Sequence, residues 1–210
     1  MESEVVQAVA EYAEYAMGQE GFRYISAVVA TCKMLALEME DVDEAINQVN
    51  MDALVIAAYL HNVSTIEFGF QNHQEKSAEM AVEFLRKVQA PAKQVSMVEK
   101  IILAHTTVLP PEERASLPLE ARIIYDADKL GRLSGLAVVT SLIEFGARYP
   151  NRAVNGEVLC AILRHVEERF VDLFQSLNTD PAREMARVKF GNTLAFLDGV
   201  IEHLSDATPI

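Results

Sequence analysis

Apolar residues return every three or four positions in segment after segment of this 210-residue chain, and nowhere do they show the two-residue alternation that marks a strand. A chain patterned in this way buries its apolar surface by packing helix on helix. The fold class is therefore all-α. The spacing predicts helices near 3–17, 22–40, 43–62, 72–89, 91–107, 118–148, 155–177 and 181–205. Pro91, Pro118 and Pro181 each suit the first turn of a helix, where a missing N–H costs nothing, and Asp180 suits the cap before Pro181. Leu109-Pro110-Pro111 reads as a loop, and residues 63–71 are the least regular connection.

The length and a hydrophobic content of 50% suit one domain with a full core, and no repeat, low-complexity tract or linker divides the chain, so a single globular unit over 1–210 is expected. Against 18 Lys and Arg stand 31 Asp and Glu, a formal net charge of -13, whose field repels phosphate backbones and anionic lipid heads. Nucleic acid and membranes are thus not expected as partners, whereas a small anion stays compatible where a local cation outweighs the global field. Cys32 and Cys160 lie in apolar helical runs outside any paired motif and read as buried thiols of a reducing compartment. The N-terminus is acidic and no apolar run approaches a membrane span, so a cytoplasmic location is expected.

Polar residues interrupt the apolar faces at a few places. Leu54 through Leu60 is apolar on every side and predicts a central helix, yet it runs into His61-Asn62. The spacing of Val95, Val98 and Ile102 continues onto His105, and the stripe of Ser77, Ala81, Phe84 and Val88 extends back to His73. Asp128 lies one turn beyond Ile124 on an inward face, while Asp126 points about 200° away by the helical period. An inward carboxylate must be paired, hydrogen-bonded or bound to a metal. Three histidines and an aspartate from four helices therefore point either to a shared polar pocket or to a hydrogen-bonded core network with no further role. His165 and His203 flank their apolar stripes and read as surface residues.

The order and spacing of these residues resemble the HD superfamily of metal-dependent phosphohydrolases, whose pattern is a His on an early helix, a His-Asp pair ending the next, and a later Asp. The helix ending at His61-Asn62 looks like the His-Asp helix, and His73-Gln-Glu-Lys-Ser77-Ala78 resembles the segment that follows it. Ile101-Ile102-Leu103-Ala104-His105 is similar to the next helix-borne His, and Asp126-Ala127-Asp128-Lys129-Leu130 to the segment supplying the last ligand. Past the core, Glu168 to Phe170, Leu177-Asn178-Thr179 and Phe196-Leu197 are similar to a C-terminal helix pair in a bacterial subgroup. The resemblance runs over about 20–205, with a core near 20–145 and the helix pair near 155–205 of an HD-type bundle of about eight helices.

The resemblance implies metal ligands at His61, Asn62 and Asp128, with His73 and His105 gripping phosphate or a second ion. Lys129 or Arg132 would lie near the leaving group, and Tyr24, Asp126 and Arg132 would line the pocket. It implies a divalent metal, one of manganese, cobalt, nickel, iron, zinc or magnesium, a small phosphorylated substrate such as a nucleotide, and a homodimer as a possible assembly. The chain departs from the pattern where Tyr24 stands at the first His, Asn62 at the Asp of the pair and Gly131 after Leu130. No Lys or Arg lies between His61 and Lys76. Two readings follow: a phosphohydrolase in which His73 and His105 join His61 and Asp128 on one ion, or a catalytically inactive relative, with Asp128 hydrogen-bonded to Tyr24 or a histidine in a metal-free pocket, that binds a small anion or nucleotide.

Overall fold

The computed structural model describes residues 4–40, 49–110, 112–132, 135–150 and 156–206. Among these residues it has helices α1 (Glu4–Glu40), α2 (Met51–Leu60), α3 (Thr65–Phe68), α4 (His73–Lys87), α5 (Ala92–Ala104), α6 (Leu119–Arg132), α7 (Gly135–Arg148), α8 (Gly156–Ser176) and α9 (Asp180–Asp206), with a 3₁₀ turn at Arg114–Ser116. The all-α class holds. The chain divides into two compact units, residues 1–128 and 129–210.

In the first unit α2 is the centre, as its uniformly apolar sequence predicts: Ala53 through Ala58 and Leu60 are buried, and α1, α4 and α5 pack on it. From α1 come Ile25, Val28, Val29, Cys32, Leu35 and Ala36, spaced three and four apart as one buried stripe. Val95, Val98, Ile101 and Ile102 do the same from α5. Each fully buried Leu or Ile contributes roughly 1.5–3 kcal/mol of apolar transfer, which is what holds α2 among its neighbours. Stacked rings add to the seams, Tyr12 on Phe84 at 4.1 Å and Phe22 with Tyr59 at 6.1 Å between centroids.

The start of α2 is set by Asn50. Its side-chain oxygen accepts the Ala53 N–H at 3.0 Å, and its own N–H donates to Glu120 Oε1 at 2.9 Å, tying the first turn of α2 to that of α6. The predicted helix over 43–62 is thus found as Met51–Leu60, and its positions 43–48 lie outside the described residues. Residues 61–64 form turns that lead into the one-turn α3.

One boundary differs from the periodicity. The predicted pair 3–17 and 22–40 is found as two helical stretches of α1 that meet at Gly18, so the second starts earlier than the spacing predicts; the φ of 68° and ψ of 174° at Gly18 belong to a region open almost exclusively to glycine. Three residues after the break, a Cβ on Gly21 would come within 2.9 Å of Met17 Cβ, so that position also needs glycine. The predicted helix 118–148 is found as α6 and α7, and positions 133 and 134 between them lie outside the described residues. Pro91 caps α5, Pro118 precedes α6, and Pro181 sits in the first turn of α9, as expected.

In the second unit α7, α8 and α9 pack on one another. Phe170 and Phe190 meet edge to face at 5.9 Å between α8 and α9. The turn joining them is closed by Arg183, which pairs with Asp180 and donates to the carbonyls of Leu177 at 3.0 Å and Asn178 at 3.4 Å. The side chains of Cys160, His165 and His203 lie outside the described residues. No single helix among the described residues is long and apolar enough to cross a membrane.

The break in α1 predicts that Gly18→Ala destabilises the fold by about 1–3 kcal/mol, because any Cβ is strained at that φ and ψ although nothing occupies the space around it. Urea unfolding of the variant checks this, and an unchanged midpoint would show that the helix straightens at no cost.

Candidate functional site

Three histidines share one local device. His61 closes α2 and donates Nδ1–H to the Ala58 carbonyl at 2.8 Å, and His105 closes α5 and donates to the Ile102 carbonyl at 2.5 Å. His73 opens α4 and donates to the Phe70 carbonyl at 3.0 Å. The last carbonyls of a helix lack intrahelical partners, and at His61 and His105 the imidazole three residues on satisfies one of them, while His73 does the same for the carbonyl of Phe70 in the turn before α4. In the neutral ring this leaves Nε2 as the lone-pair nitrogen. The rings also meet, His61 with His105 at 5.0 Å and 74°, and His73 with His105 at 5.3 Å and 76°. His105 is the middle ring.

His61 and His105 are buried as their spacing predicts, but His73 is only half-buried. The buried stripe of α4 is Ser77, Ala78, Ala81 and Leu85, and His73 sits one turn before it, at the end of the helix and the rim of the cluster. What holds His73 there was not read from the sequence. Ser64, fully buried, donates its hydroxyl to the His73 carbonyl at 3.2 Å. Ser77 Oγ lies 2.9 Å from Ser64 Oγ and accepts the Ser64 N–H at 3.3 Å. Only the polarity of Ser77 on an apolar stripe signals this pair.

The acids come from α6. Asp128 is 8% exposed and accepts a hydrogen bond from Tyr24 Oη of α1. Tyr24, the residue at the position of the first family His, is therefore beside the last family acid. Asp126 is fully buried, although the helical period turns it away from Asp128: α6 is covered on all sides from Ile123 to Asp128, so both carboxylates are interior. Burial first, then the charges of Asp126 and Asp128, push the Cys32 thiol up, so it is held as the protonated thiol.

Asn62 is buried, and its backbone carbonyl receives Thr65 N–H at 3.0 Å and Thr65 Oγ at 2.8 Å, which fixes the turn after His61. Lys129 follows Asp128 on α6 as the first residue of the second unit, and the side chain of Arg132 lies outside the described residues. Burial and the neighbouring His61 lower the His105 pKa to about 3; its bond to Ile102 opposes this, His73 lowers it further and Asp128 raises it. His105 is a neutral imidazole at physiological pH.

These residues do not fit the metal that the family pattern implies. Of its four ligand positions, two carry His61 and Asp128; the other two carry a buried amide and a phenol, and the phenol is hydrogen-bonded to Asp128. Among the described residues no group of three or more His, Cys, Asp and Glu side chains is arranged to hold a metal ion. Of the set His61, His73, His105 and Asp128 considered from the sequence, the structure brings the three imidazoles into contact.

The HD domain model matches residues 25–133, a little over half of the 210. No curated protein is significantly similar in sequence. Among solved structures, an HD-superfamily hydrolase of Bacillus thuringiensis superposes with a TM-score of 0.71 at 16% identity, over 99% of this chain and 100% of that one. A predicted HD superfamily hydrolase of an uncultured Thermotogales bacterium gives 0.62 at 17% identity, over 94% and 91%. Bacillus subtilis YpgQ in complex with ADP gives 0.62 at 16% identity, over 95% of both chains. With the helix-borne histidines, the later Asp128 and the matched span in agreement, the chain belongs to the HD domain family.

Proposed function

We propose that the histidine cluster binds a small phosphorylated molecule, a nucleotide or another phosphoester, and that the chain is a catalytically inactive HD relative which does not hydrolyse its ligand through a metal. The observation that carries this reading is the hydrogen bond from Tyr24 to Asp128. A buried carboxylate needs a compensating partner, and here the phenol serves where family members use a cation. Asn62, an amide where the family pattern has an Asp, removes one negative charge. Both changes make the pocket less hostile to an anion that arrives without a metal. His73 stands at the N-terminal end of the 15-residue α4, where the helix dipole favours negative charge. The ADP complex of a protein with the same fold supports a nucleotide as the ligand.

Hydrolysis requires an activated water. A metal lowers the pKa of bound water, and a side-chain base removes its proton most effectively with a pKa near the working pH. His105, with its pKa at about 3, is too weak a base for that task. One observation favours the other reading, a metal-dependent phosphohydrolase: Nδ1 bonding to carbonyls fixes all three imidazoles with Nε2 as the lone-pair nitrogen, the form in which histidine binds metals.

Metal analysis of protein purified without chelator separates the two. Substoichiometric manganese, nickel, iron or zinc and no turnover on a nucleotide panel are expected. The double variant Tyr24→His with Asn62→Asp should recover metal binding, seen as a rise in melting temperature on adding manganese. About one tightly held ion per chain in the unmodified protein, with metal-dependent turnover, would contradict the reading.

The state of His105 predicts a second measurable property. Its folded pKa of about 3 lies below the ordinary 6.5, so between these values the unfolded chain binds the extra proton. The stability that this group contributes is complete above pH 6.5 and declines as pH falls toward 3, by about 5 kcal/mol over the whole range. Replacing His105 with Gln should flatten that part of the unfolding profile. An acid limb of the same slope in the variant would show that the ring is not buried in its neutral form.

A further inference from the structure

The file of rings does not end at His73. Phe70 meets it edge to face at 5.9 Å, so Phe70, His73, His105 and His61 run as four consecutive rings from the loop into the core. Phe70 is 69% exposed, and within four residues of it Ile66 and Phe68 are 65% and 51% exposed. A large apolar residue left in water is ordinary when it stands alone; three within five positions at the mouth of a polar cluster are not.

The loop that carries Phe70 is held in place. Gly69, at φ 74° and ψ -170°, takes a conformation that glycine alone adopts cheaply, and Asn72 is left-handed at φ 53°. The Phe70 carbonyl accepts the His73 Nδ1–H, and the His73 carbonyl accepts the Ser64 hydroxyl. Phe70 is thus positioned by the same bonds that position the rim histidine. An exposed, fixed aromatic ring beside a group suited to an anion matches a ligand with a charged end and a flat aromatic end.

We infer that Phe70 is the stacking surface for the nucleobase of a nucleoside phosphate whose phosphates lie toward His73, so that the site selects nucleotides over sugar phosphates and inorganic phosphates. This inference rests on the phosphate-binding reading of the cluster. The base contributes through its π face, which makes the contact tolerant of base identity.

The test is calorimetric titration of ADP and of inorganic diphosphate into the full chain, comparing the unmodified protein with Phe70→Ala and Phe70→Trp. Because Phe70 is exposed, both variants should fold, and their unfolding midpoints check it. ADP should bind more tightly than diphosphate. In Phe70→Ala its affinity should fall roughly tenfold while that for diphosphate is unchanged, and Phe70→Trp should restore it. Equal binding of ADP and diphosphate by the unmodified protein would overturn the inference and leave the phosphate site standing. So would an ADP affinity unchanged in Phe70→Ala, or equal losses for both ligands. If the unmodified chain binds neither, the phosphate reading fails and this inference with it. A Phe70→Ala variant that dissociates a dimer without altering ADP affinity would instead assign the ring to a contact between copies.

Discussion

An interior carboxylate is tolerated only when something answers its charge, and at Asp128 the answer is the hydroxyl of Tyr24. The bond joins α1 to α6 and lies among the elements that carry the cluster. Around it the site changes character. A phenol and an amide stand at two of the family's ligand positions, one carboxylate fewer than the pattern, and the imidazoles are held by backbone carbonyls. Those bonds need no ion. Each histidine satisfies a carbonyl three residues before it, so the cluster is self-supporting as part of the fold.

The family architecture does not rest on the polar residues it carries. The apolar stripes of α1, α2 and α5 make the core, and none of those contacts depends on what the polar residues bind. The same independence limits inference from likeness: structures that superpose at 16% identity share a frame, and the frame does not state a reaction.

Much of that frame was legible in the sequence because burial imposes a period. The apolar run of α2, the stripe of α5 and the inward positions of His61, His105 and Asp128 all follow from spacing alone. Where a helix is covered on every side the period loses meaning, which is why Asp126 proved interior together with Asp128. A helix end also escapes it: extending the α4 stripe backward to His73 ignored that the chain leaves the core there. The α1 break was read from the spacing as a gap between 17 and 22, and what escaped was its narrowness: one backbone conformation at Gly18 makes it, and a glycine does not announce which of its many conformations it takes. The partners of the polar residues were legible only in part. Tyr24 and Asp128 are 104 residues apart, and no local pattern joins them; the expectation of a bond between them came from Tyr24 standing at the first ligand position of the family pattern, and the packing of α1 and α6 makes it.

The most direct measurement is a crystal structure of the unmodified chain grown with excess manganese and examined for anomalous scattering at the cluster. The account predicts Tyr24 hydrogen-bonded to Asp128 and no anomalous peak beside it. A manganese ion bound by Asp128 and His61, with the Tyr24 ring displaced, would contradict it.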